Sequence, residues 1–208
     1  AALGKLEIAL KNFSKNIHKI EKYYDFSIRQ TILNEARDLK LVASNYHNRA
    51  YNNPELLIYN LKNSMNKLAA KIQLEGGARI EGVALIKPEQ LLGIKIDKVT
   101  QVEKGIIYTK EKGGKQGEVL VSLKTYAELE NYLSLNSKFK INRQDYYNDI
   151  KQAAIISKEV SEGSHGLRWN FAKRRMFEYG KADYTYSDSL QQVSYEMKHN
   201  RASITEHY

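Results

Sequence analysis

Residues 165–172 read His-Gly-Leu-Arg-Trp-Asn-Phe-Ala. This stretch opens a pattern that predicts a helix over residues 167–179. His165 and Arg168 are three residues apart, a spacing that places both side chains on one face of a helix. Such a pair suits a phosphate group, because a guanidinium presents a fork of N–H groups to two oxygens. By itself, the segment favours a simpler interpretation, a histidine and an arginine at a solvated helix start.

The carboxyl end of the chain holds a second histidine followed at a distance by a tyrosine. His199 precedes Tyr208, the last residue, by nine positions. The chain has 15 tyrosines, and a tyrosine is usually an amphipathic core or surface residue. The pair therefore carries little information until it is combined with other segments.

Two more segments place glycines beside cationic residues. Residues 76–85 read Gly-Gly-Ala-Arg-Ile-Glu-Gly-Val-Ala-Leu, with Arg79 as the cation. Residues 110–115 read Lys-Glu-Lys-Gly-Gly-Lys and lie between two runs of β-forming residues. Two consecutive glycines between such runs are a turn signal, so residues 106–123 are predicted to form a β-hairpin.

Together, and in this order, the four segments resemble the tyrosine recombinase (phage integrase) family. Residues 76–85 resemble its Gly-x-Arg box, and residues 110–115 resemble its Gly-Lys-Gly-x-Lys hairpin. Residues 165–172 resemble the His-x-Leu-Arg box, and residues 197–208 resemble the Leu-Gly-His box with its nucleophilic tyrosine nine positions after the histidine. The resemblance covers roughly residues 54–208. Each motif is short, but their collinear order is far more specific than any one of them.

The resemblance implies a way of holding and attacking a DNA phosphodiester. Arg79 and Arg168 would bind the non-bridging oxygens of the scissile phosphate, where fixed donors stabilise developing charge. Tyr208 would attack the phosphorus and form a 3′-phosphotyrosyl bond, which splits one difficult exchange into two easier steps. The resemblance implies no cofactor and no metal, because the covalent bond conserves the phosphodiester energy for rejoining.

The resemblance also implies which groups move protons. Lys112 would protonate the departing 5′-oxygen as general acid, and it matches the first lysine of the hairpin motif, unlike Lys110 and Lys115. For those two, the simpler interpretation is a surface lysine of the hairpin. His165 and His199 would hydrogen-bond the phosphate and assist proton transfer around the tyrosine oxygen.

Three positions depart from the family pattern. The family usually has Glu or Asp three residues after the first arginine, but Gly82 stands there and Glu81 lies one position earlier, which leaves the acidic partner of Arg79 open. Trp169 stands where many members have a second histidine, and its indole N–H still offers a donor. Lys198 replaces the glycine that normally precedes the histidine, where it would add a phosphate contact or crowd the turn.

A further group of basic residues is predicted to contact DNA outside the reaction: Lys115, Lys173, Arg174, Arg175 and Lys198. Three of them follow the second arginine on the same predicted helix. They would contact backbone phosphates or form a solvated helix face, and the sequence does not choose between these interpretations.

Charge and composition allow a polyanionic partner and remove other classes of protein. The 208 residues include 33 Lys and Arg against 24 Asp and Glu, a formal net charge of +9. Cations that neutralise phosphates release counterions, so the charge is compatible with a nucleic-acid partner and equally with a basic protein that has none. The resemblance to the recombinase family implies double-stranded DNA as the partner. With no cysteine, disulfides, cysteine nucleophiles and cysteine-ligated zinc are excluded. No apolar run approaches the ~18 residues of a membrane span and no signal peptide is evident, so we expect an intracellular protein. The resemblance implies a cytoplasmic, nucleoid-associated protein of a prokaryote or its virus.

The predicted elements run in the order helices, small antiparallel sheet, helices. The predicted fold class is therefore α+β and mostly helical, and the resemblance implies an integrase-type catalytic domain preceded by part of a helical domain. Residues 1–50 are predicted to be the remainder of an amino-terminal core-binding domain, and residues 51–208 the catalytic domain. Helices are expected over 54–70, 78–86, 126–133, 143–156, 167–179 and 187–197, and strands around 94–96, 106–108 and 118–121.

Two other functions remain compatible with these residues. A type IB topoisomerase shares the phosphotyrosyl chemistry, although the collinear boxes and the small size favour a recombinase. A DNA-binding module that kept the fold and lost catalysis would account for the departures at Glu81 and Lys198. Family members usually continue past the tyrosine into a helix that docks on a neighbouring protomer. We therefore expect a fragment of a longer protein that assembles on DNA as a dimer to tetramer.

Overall fold

The computed structural model describes residues 9–10, 12–13, 31–32, 34–35, 48–199 and 202–205. The chain divides into two compact units, residues 1–47 and 48–208. The described residues of the first unit are helical. Its identity as the remainder of a core-binding domain stays a prediction. The second unit contains all four segments that the sequence singles out.

Residues 54–70, predicted as one helix, belong to two. α1 (Pro54–Tyr59) begins after Asn53 and α2 (Ser64–Gly76) begins after Asn63. Each asparagine side chain accepts hydrogen bonds from backbone amides of the helix it precedes, as a helix N-cap requires. The carboxylate of Asp149 accepts two amide hydrogen bonds from the connecting turn, at 2.9 and 3.2 Å. A tertiary contact therefore stabilises the break.

The segment after α2 is mostly not helical. Gly77 ends α2 in the left-handed conformation with φ 66°, and α3 (Ile80–Val83) is a single turn. The helix predicted over 78–86 is shorter because β1 (Leu85–Ile86) pairs antiparallel with β5 (Phe139–Lys140). The sequence did not predict this two-residue pair.

A three-stranded antiparallel sheet follows, in the order β2-β3-β4. Its strands are β2 (Leu91–Ile96), β3 (Glu103–Lys110) and β4 (Gln116–Val121). β3 and β4 form the predicted hairpin, with residue 107 opposite residue 119 and residue 110 opposite residue 116. Gly113 and Gly114 have φ values of 80° and 73° in the turn that joins them. Two adjacent left-handed residues explain why this turn contains glycines.

The rest of the described chain is helical, with short connections. Ser122, Asn142 and Thr185 accept amide hydrogen bonds at three of the helix starts. The helices are α4 (Leu123–Leu135), α5 (Arg143–Ile156), α6 (Gly163–Lys181), α7 (Tyr186–Glu196) and α8 (Ala202–Thr205).

One core lies between the helices and the sheet. Fully buried side chains come from α1, α2, α4, α5 and the inner face of the β-hairpin, and they include Leu57, Ile72, Ile107, Leu129 and Ile150. A smaller cluster joins α6 to α7 and contains Phe171, Tyr179, Val193 and Met197. Helix α6 therefore connects the main core to the carboxyl-terminal helix pair.

This architecture confirms the predicted fold class, a mostly helical α+β unit with a small antiparallel sheet. Within the described ranges, no helix combines the length and the apolar character that crossing a membrane requires.

The turn at Gly77 is a sensitive point of the fold. Its backbone is left-handed, and a Cβ atom added there would lie 2.5 Å from Cδ1 of Phe171. We expect Gly77→Ala to lower the free energy of unfolding by more than the ~1–3 kcal/mol that left-handed backbone costs a non-glycine residue. Urea denaturation measures the loss.

Gly93→Ala is the matched control. Gly93 also has a positive φ, 88°, but no heavy atom lies within 4 Å of a Cβ placed there. Gly93→Ala should therefore lose only the part of the free energy of unfolding that a left-handed backbone costs a non-glycine residue. Equal losses in the two variants would contradict the role given to the contact with Phe171.

Candidate active site

Arg168 is the centre of the site. It lies on α6 and its side chain is almost completely buried. Its Nη1 atom donates a hydrogen bond to the carbonyl oxygen of Gly77, and its Nη2 atom donates to the carbonyl of Met197 at 3.3 Å. A buried charge requires hydrogen-bond partners. Here those partners lie at the end of α2 and at the end of α7, so one guanidinium joins the two helix ends.

The end of α7 explains the unusual lysine before His199. The amide of Lys198 donates to the carbonyl of Tyr195, and the amide of His199 donates to the carbonyl of Ser194, at 2.9 Å each. This is the Schellman arrangement, in which the residue after the helix cap is left-handed and usually glycine. Lys198 occupies that position with φ 57°. The family pattern has glycine at this position because the turn needs a left-handed backbone. In this chain a lysine adopts that conformation, which strains its backbone.

His199 is buried and held from both ring nitrogens. Its Nε2 atom lies 3.3 Å from Nη2 of Arg168, and its Nδ1 atom lies 2.8 Å from Oγ1 of Thr205. Because the arginine can only donate, Nε2 accepts and the proton sits on Nδ1. Burial, followed by the charges of Arg168 and Arg79, lowers the pKa of His199 from 6.5 to about 3. The imidazole is therefore neutral at physiological pH.

His165 stands in the first turn of α6 and is partly buried. Burial, followed by the charge of Arg168, lowers the pKa of His165 from 6.5 to about 4. Both predicted site histidines are thus neutral near pH 7, and neither adds to the positive charge there.

Arg79 immediately precedes α3 and reaches the site through a carboxylate that the sequence did not identify. Its Nη1 atom lies 3.1 Å from Oε2 of Glu111, and its backbone amide donates to Oε1 at 3.2 Å. The Glu111 side chain is completely buried. The same carboxylate lies 3.2 Å from Nζ of Lys198 and 4.0 Å from Nη1 of Arg168.

The hairpin brings one more lysine into the cluster. Nζ of Lys115 donates to the carbonyl oxygen of Lys198 at 2.6 Å, which ties the hairpin to the end of α7. Burial, followed by the charge of Arg79, lowers the pKa of Lys115 below its usual 10.5. Lys112 lies in the turn between β3 and β4, but its side chain lies outside the described part of the structure.

The structure brings together Arg79, Arg168, His165, His199 and the hairpin. Tyr208 lies outside the described residues, so its role stays a prediction. Thr205, three positions before it, is hydrogen-bonded to His199. Of the predicted catalytic residues, those with described side chains therefore lie around one buried guanidinium.

The predicted DNA contact by Arg175 is wrong. This side chain is almost completely buried, and its nitrogens lie 2.7–3.0 Å from carboxylate oxygens of Asp97, Glu178 and Glu196. These hydrogen bonds raise the pKa of Arg175 although burial alone lowers it. Its charge is committed to a structural ion cluster, and so Arg175 is not available to a phosphate.

Lys198 is likewise not a surface contact. Its side chain is 7% exposed and is ion-paired with Glu111. The sequence left two alternatives for this position, a phosphate contact or a crowded turn. The structure shows a third role, because Lys198 forms a structural ion pair. Burial lowers the pKa of Lys198, and the nearby Glu111 opposes that shift.

Two basic residues remain compatible with backbone contacts. Lys173 is exposed and donates to the side chain of Asn48 at 2.9 Å. Arg174 is partly exposed and donates to the carbonyl of Glu75 at 2.9 Å. Their contact with DNA stays a prediction.

The acidic partner of Arg79 is Glu111, not Glu81. Glu81 lies 3.8 Å from Arg143 and takes no part in the cluster. One signal could have pointed to Glu111. It is the single carboxylate in a turn otherwise made of Lys and Gly, directly beside the predicted general acid. Among the described residues, no group of three or more histidine and carboxylate side chains is arranged to hold a metal ion.

Comparisons with known proteins identify the fold of the chain. No protein-family model matches the sequence, and no curated protein matches it. Several solved structures are similar, including two of XerH and one of XerA. A post-cleavage complex of the XerH site-specific recombinase with a palindromic difH substrate has a TM-score of 0.57 at 17% identity, over 79% of this chain and 50% of that one. A pre-cleavage complex of XerH with difH has a TM-score of 0.53 at 17% identity, over 74% and 47%.

The third structure, the XerA recombinase, has a TM-score of 0.55 at 13% identity and covers 99% of this chain and 77% of that one. The chain thus has the fold of a tyrosine recombinase catalytic domain. It spans about half the length of the XerH chains that it matches.

The depressed histidine pKa predicts how stability depends on pH. Below about pH 6.5 the unfolded chain binds a proton at His199 that the folded chain does not bind until about pH 3. The stability contribution is therefore complete above pH 6.5 and is lost as the pH falls, at up to about 1.4 kcal/mol per pH unit. We expect the free energy of unfolding, measured with urea, to fall between about pH 7 and about pH 5.

His199→Gln should make that fall less steep, because the replaced group no longer titrates. His165→Gln/His199→Gln should flatten it further, since the pKa of His165 is depressed in the same direction. An unchanged slope in the double variant would show that other groups control the acid sensitivity.

Proposed function

We propose that this chain is the catalytic part of a site-specific recombinase that cleaves and rejoins double-stranded DNA through a 3′-phosphotyrosyl intermediate. The observation that carries the proposal is the buried guanidinium of Arg168, with Arg79, His199 and the hairpin gathered around it. Four segments that lie far apart in the sequence contribute to this site. They follow one another along the chain in the same order as the family motifs.

The two arginines can bind one phosphate together. Nη1 of Arg79 and Nη1 of Arg168 lie 3.1 and 4.0 Å from the same oxygen of Glu111, so the two guanidiniums are close enough to contact one phosphate bound beside that carboxylate. Donors held rigidly before the reaction stabilise charge on the pentavalent phosphorus without further reorganisation. Arg168 is the more rigid of the two, because backbone carbonyls on two helices orient it.

The reaction is a double displacement at phosphorus. The Tyr208 oxygen forms a bond to the phosphorus while the bond from phosphorus to the 5′-oxygen breaks. Lys112 gives a proton to that leaving oxygen, and the phenolic proton passes to solvent with the help of the neutral imidazole of His165. His199, whose ring nitrogens are bonded to Arg168 and Thr205, helps to orient the arginine. In the second step a 5′-hydroxyl attacks the phosphotyrosyl bond, which restores a phosphodiester and frees the tyrosine.

Two further observations support DNA as the substrate class. The XerH structures are complexes of that recombinase with its difH substrates. This chain carries a formal net charge of +9, which favours association with a polyphosphate. Exchange between two duplexes requires four cleavages, and so we propose that the full-length protein assembles on DNA as a dimer and then a tetramer.

A suicide substrate tests the reaction. We expect the full-length protein, incubated with nicked DNA carrying its cognate site, to form a covalent protein–DNA adduct that denaturing gels resolve. Tyr208→Phe should abolish the adduct while DNA affinity, measured by gel shift, stays the same. Tyr195→Phe is the control, since Tyr195 is 63% exposed.

Three outcomes would contradict parts of this proposal. Specific binding without an adduct would indicate a non-catalytic DNA-binding module. An adduct that survives Tyr208→Phe would identify a different nucleophile. Relaxation of supercoiled plasmid with no cognate site would favour a type IB topoisomerase.

A change of leaving group distinguishes the roles of the two hairpin lysines, Lys112 and Lys115. We expect Lys112→Ala to slow cleavage about 10²–10⁴-fold, the usual contribution of a general acid. A substrate with sulfur in place of the bridging 5′-oxygen needs no proton on departure, so it should restore the rate of that variant.

Lys115→Ala should gain little from the sulfur substrate, because Lys115 ties the hairpin to the carbonyl of Lys198 and does not act as the acid. The assignment is reversed if sulfur restores Lys115→Ala instead. Single-turnover cleavage rates with both substrates distinguish these cases.

A further inference from the structure

The Glu111 carboxylate is the most heavily coordinated acidic group of the candidate site. Its two oxygens lie within 3.2 Å of three donors, namely the backbone amide and Nη1 of Arg79 and Nζ of Lys198. Thr109, in the neighbouring strand β3, donates to it at 3.5 Å. Its side chain is completely buried, and so each of these interactions is shielded from water.

Charge balance shows why a carboxylate is needed at this point. Arg79, Arg168 and Lys198 all lie within 4.0 Å of it, and Lys115 lies near enough for the two charges to interact. Among the described residues, Glu111 is the only carboxylate that forms ion pairs with these cations. Like charges gathered without an anion repel one another, and that repulsion would push Arg79 toward solvent.

The space for this carboxylate comes from the glycine in α3. A Cβ atom added to Gly82 would lie 2.8 Å from Cγ of Glu111 and 3.1 Å from Cβ of Thr109. Positions 82 and 111 therefore compete for one volume beside Arg79. Only one of them can carry a side chain into it, and in this chain that residue is on the hairpin.

We infer that Glu111 is a positioning residue of the strand-cleavage site, which holds Arg79 toward the phosphate and joins the hairpin that carries Lys112 to the two arginines. The inference rests on the proposed function for the identity of the reaction. Glu111 touches the cations, not the substrate, and acts through them.

The contacts favour permanent positioning over a placeholder that leaves when DNA binds. The carboxylate is bonded to a backbone amide as well as to side chains, and the amide of Glu111 itself donates to the carbonyl of Lys115 across the turn at 2.6 Å. Moving the carboxylate out would break its contacts with Arg79 and Lys198 together, and the backbone contact of Glu111 restricts that movement. A phosphate therefore binds beside this carboxylate and does not replace it.

Moving the carboxylate between the two competing positions tests the inference. In the full-length protein, Glu111→Gln keeps the shape and removes the charge. The pair Gly82→Asp/Glu111→Ala supplies a carboxylate to the same volume from α3. Glu118→Gln is the matched control, because Glu118 is a half-exposed carboxylate of the same hairpin paired only with Lys95 in the described contacts.

We expect Glu111→Gln to slow single-turnover formation of the DNA adduct about 100-fold at saturating DNA, the scale of a misplaced catalytic group. The dissociation constant for DNA should change less than about threefold, because backbone contacts supply most of that affinity. Gly82→Asp/Glu111→Ala should recover at least about tenfold over Glu111→Ala, whereas a purely structural role for the Glu111 side chain predicts no recovery.

A second measurement does not depend on DNA cleavage. Glu111→Ala leaves a cavity among three cations, so inorganic phosphate should raise its melting temperature by several degrees more than it raises that of the wild type or of Glu118→Gln. If Glu111→Ala does not fold, Glu111→Gln provides the same comparison, since an amide also leaves the cations without an anion.

The outcomes separate this inference from the proposed function. If the wild type forms no adduct but phosphate still stabilises Glu111→Ala more than the wild type, the recombinase reaction is refuted and Glu111 is retained as the residue that organises the cations. Cleavage by Glu111→Gln at or above the wild-type rate overturns the inference and makes the carboxylate a placeholder or a bystander. Failure of the relocated carboxylate to recover activity, together with equal phosphate effects in all variants, also overturns it.

Discussion

The structure depends on supplying hydrogen-bond partners to a guanidinium group that water does not reach. Arg168 is almost completely buried, and an unpartnered charge there would cost several kcal/mol, roughly the whole stability of a domain. Its hydrogen bonds to Gly77 and Met197 offset that cost and at the same time bring the end of α2 and the end of α7 together. His199 completes the arrangement as a neutral acceptor. The same contacts that stabilise the charge therefore assemble the site.

A second buried arginine on the same helix serves a different purpose. Arg175, two turns after Arg168, is surrounded by Asp97, Glu178 and Glu196. Burial by itself raises the pKa of Asp97, but hydrogen bonds from Arg175 and Thr100 overcome it and lower that pKa to about 2. The neighbours decide the difference between these arginines. Arg175 faces three carboxylates and is neutralised, whereas Arg168 faces mainly carbonyls and an imidazole and keeps its positive potential.

The sequence predicted the elements and the residue types of the site better than their contacts. The hairpin followed from Gly113 and Gly114, because a tight two-strand turn needs left-handed residues and glycine adopts them without strain. The β1–β5 pair was missed, since two-residue strands leave no periodic pattern and depend on residues far apart in sequence. Arg175 was assigned to DNA because consecutive basic residues on a helix look alike until their neighbours are known. Glu111 was missed because a single glutamate in a lysine-rich turn indicates nothing about which cations it faces.

By itself, the sequence determined the class of fold, the order of the four motif segments and the candidate residues for phosphate binding. These depend on local spacing and on the chemistry of each side chain, which are properties of the chain before it folds. Only the tertiary structure decided which charges oppose one another. It placed Glu111 in the volume that Gly82 leaves open, turned Lys198 inward onto that carboxylate, and withdrew Arg175 from the surface. The energy of a buried charge depends on its neighbours, and these neighbours come from segments separated by as many as 91 positions along the chain.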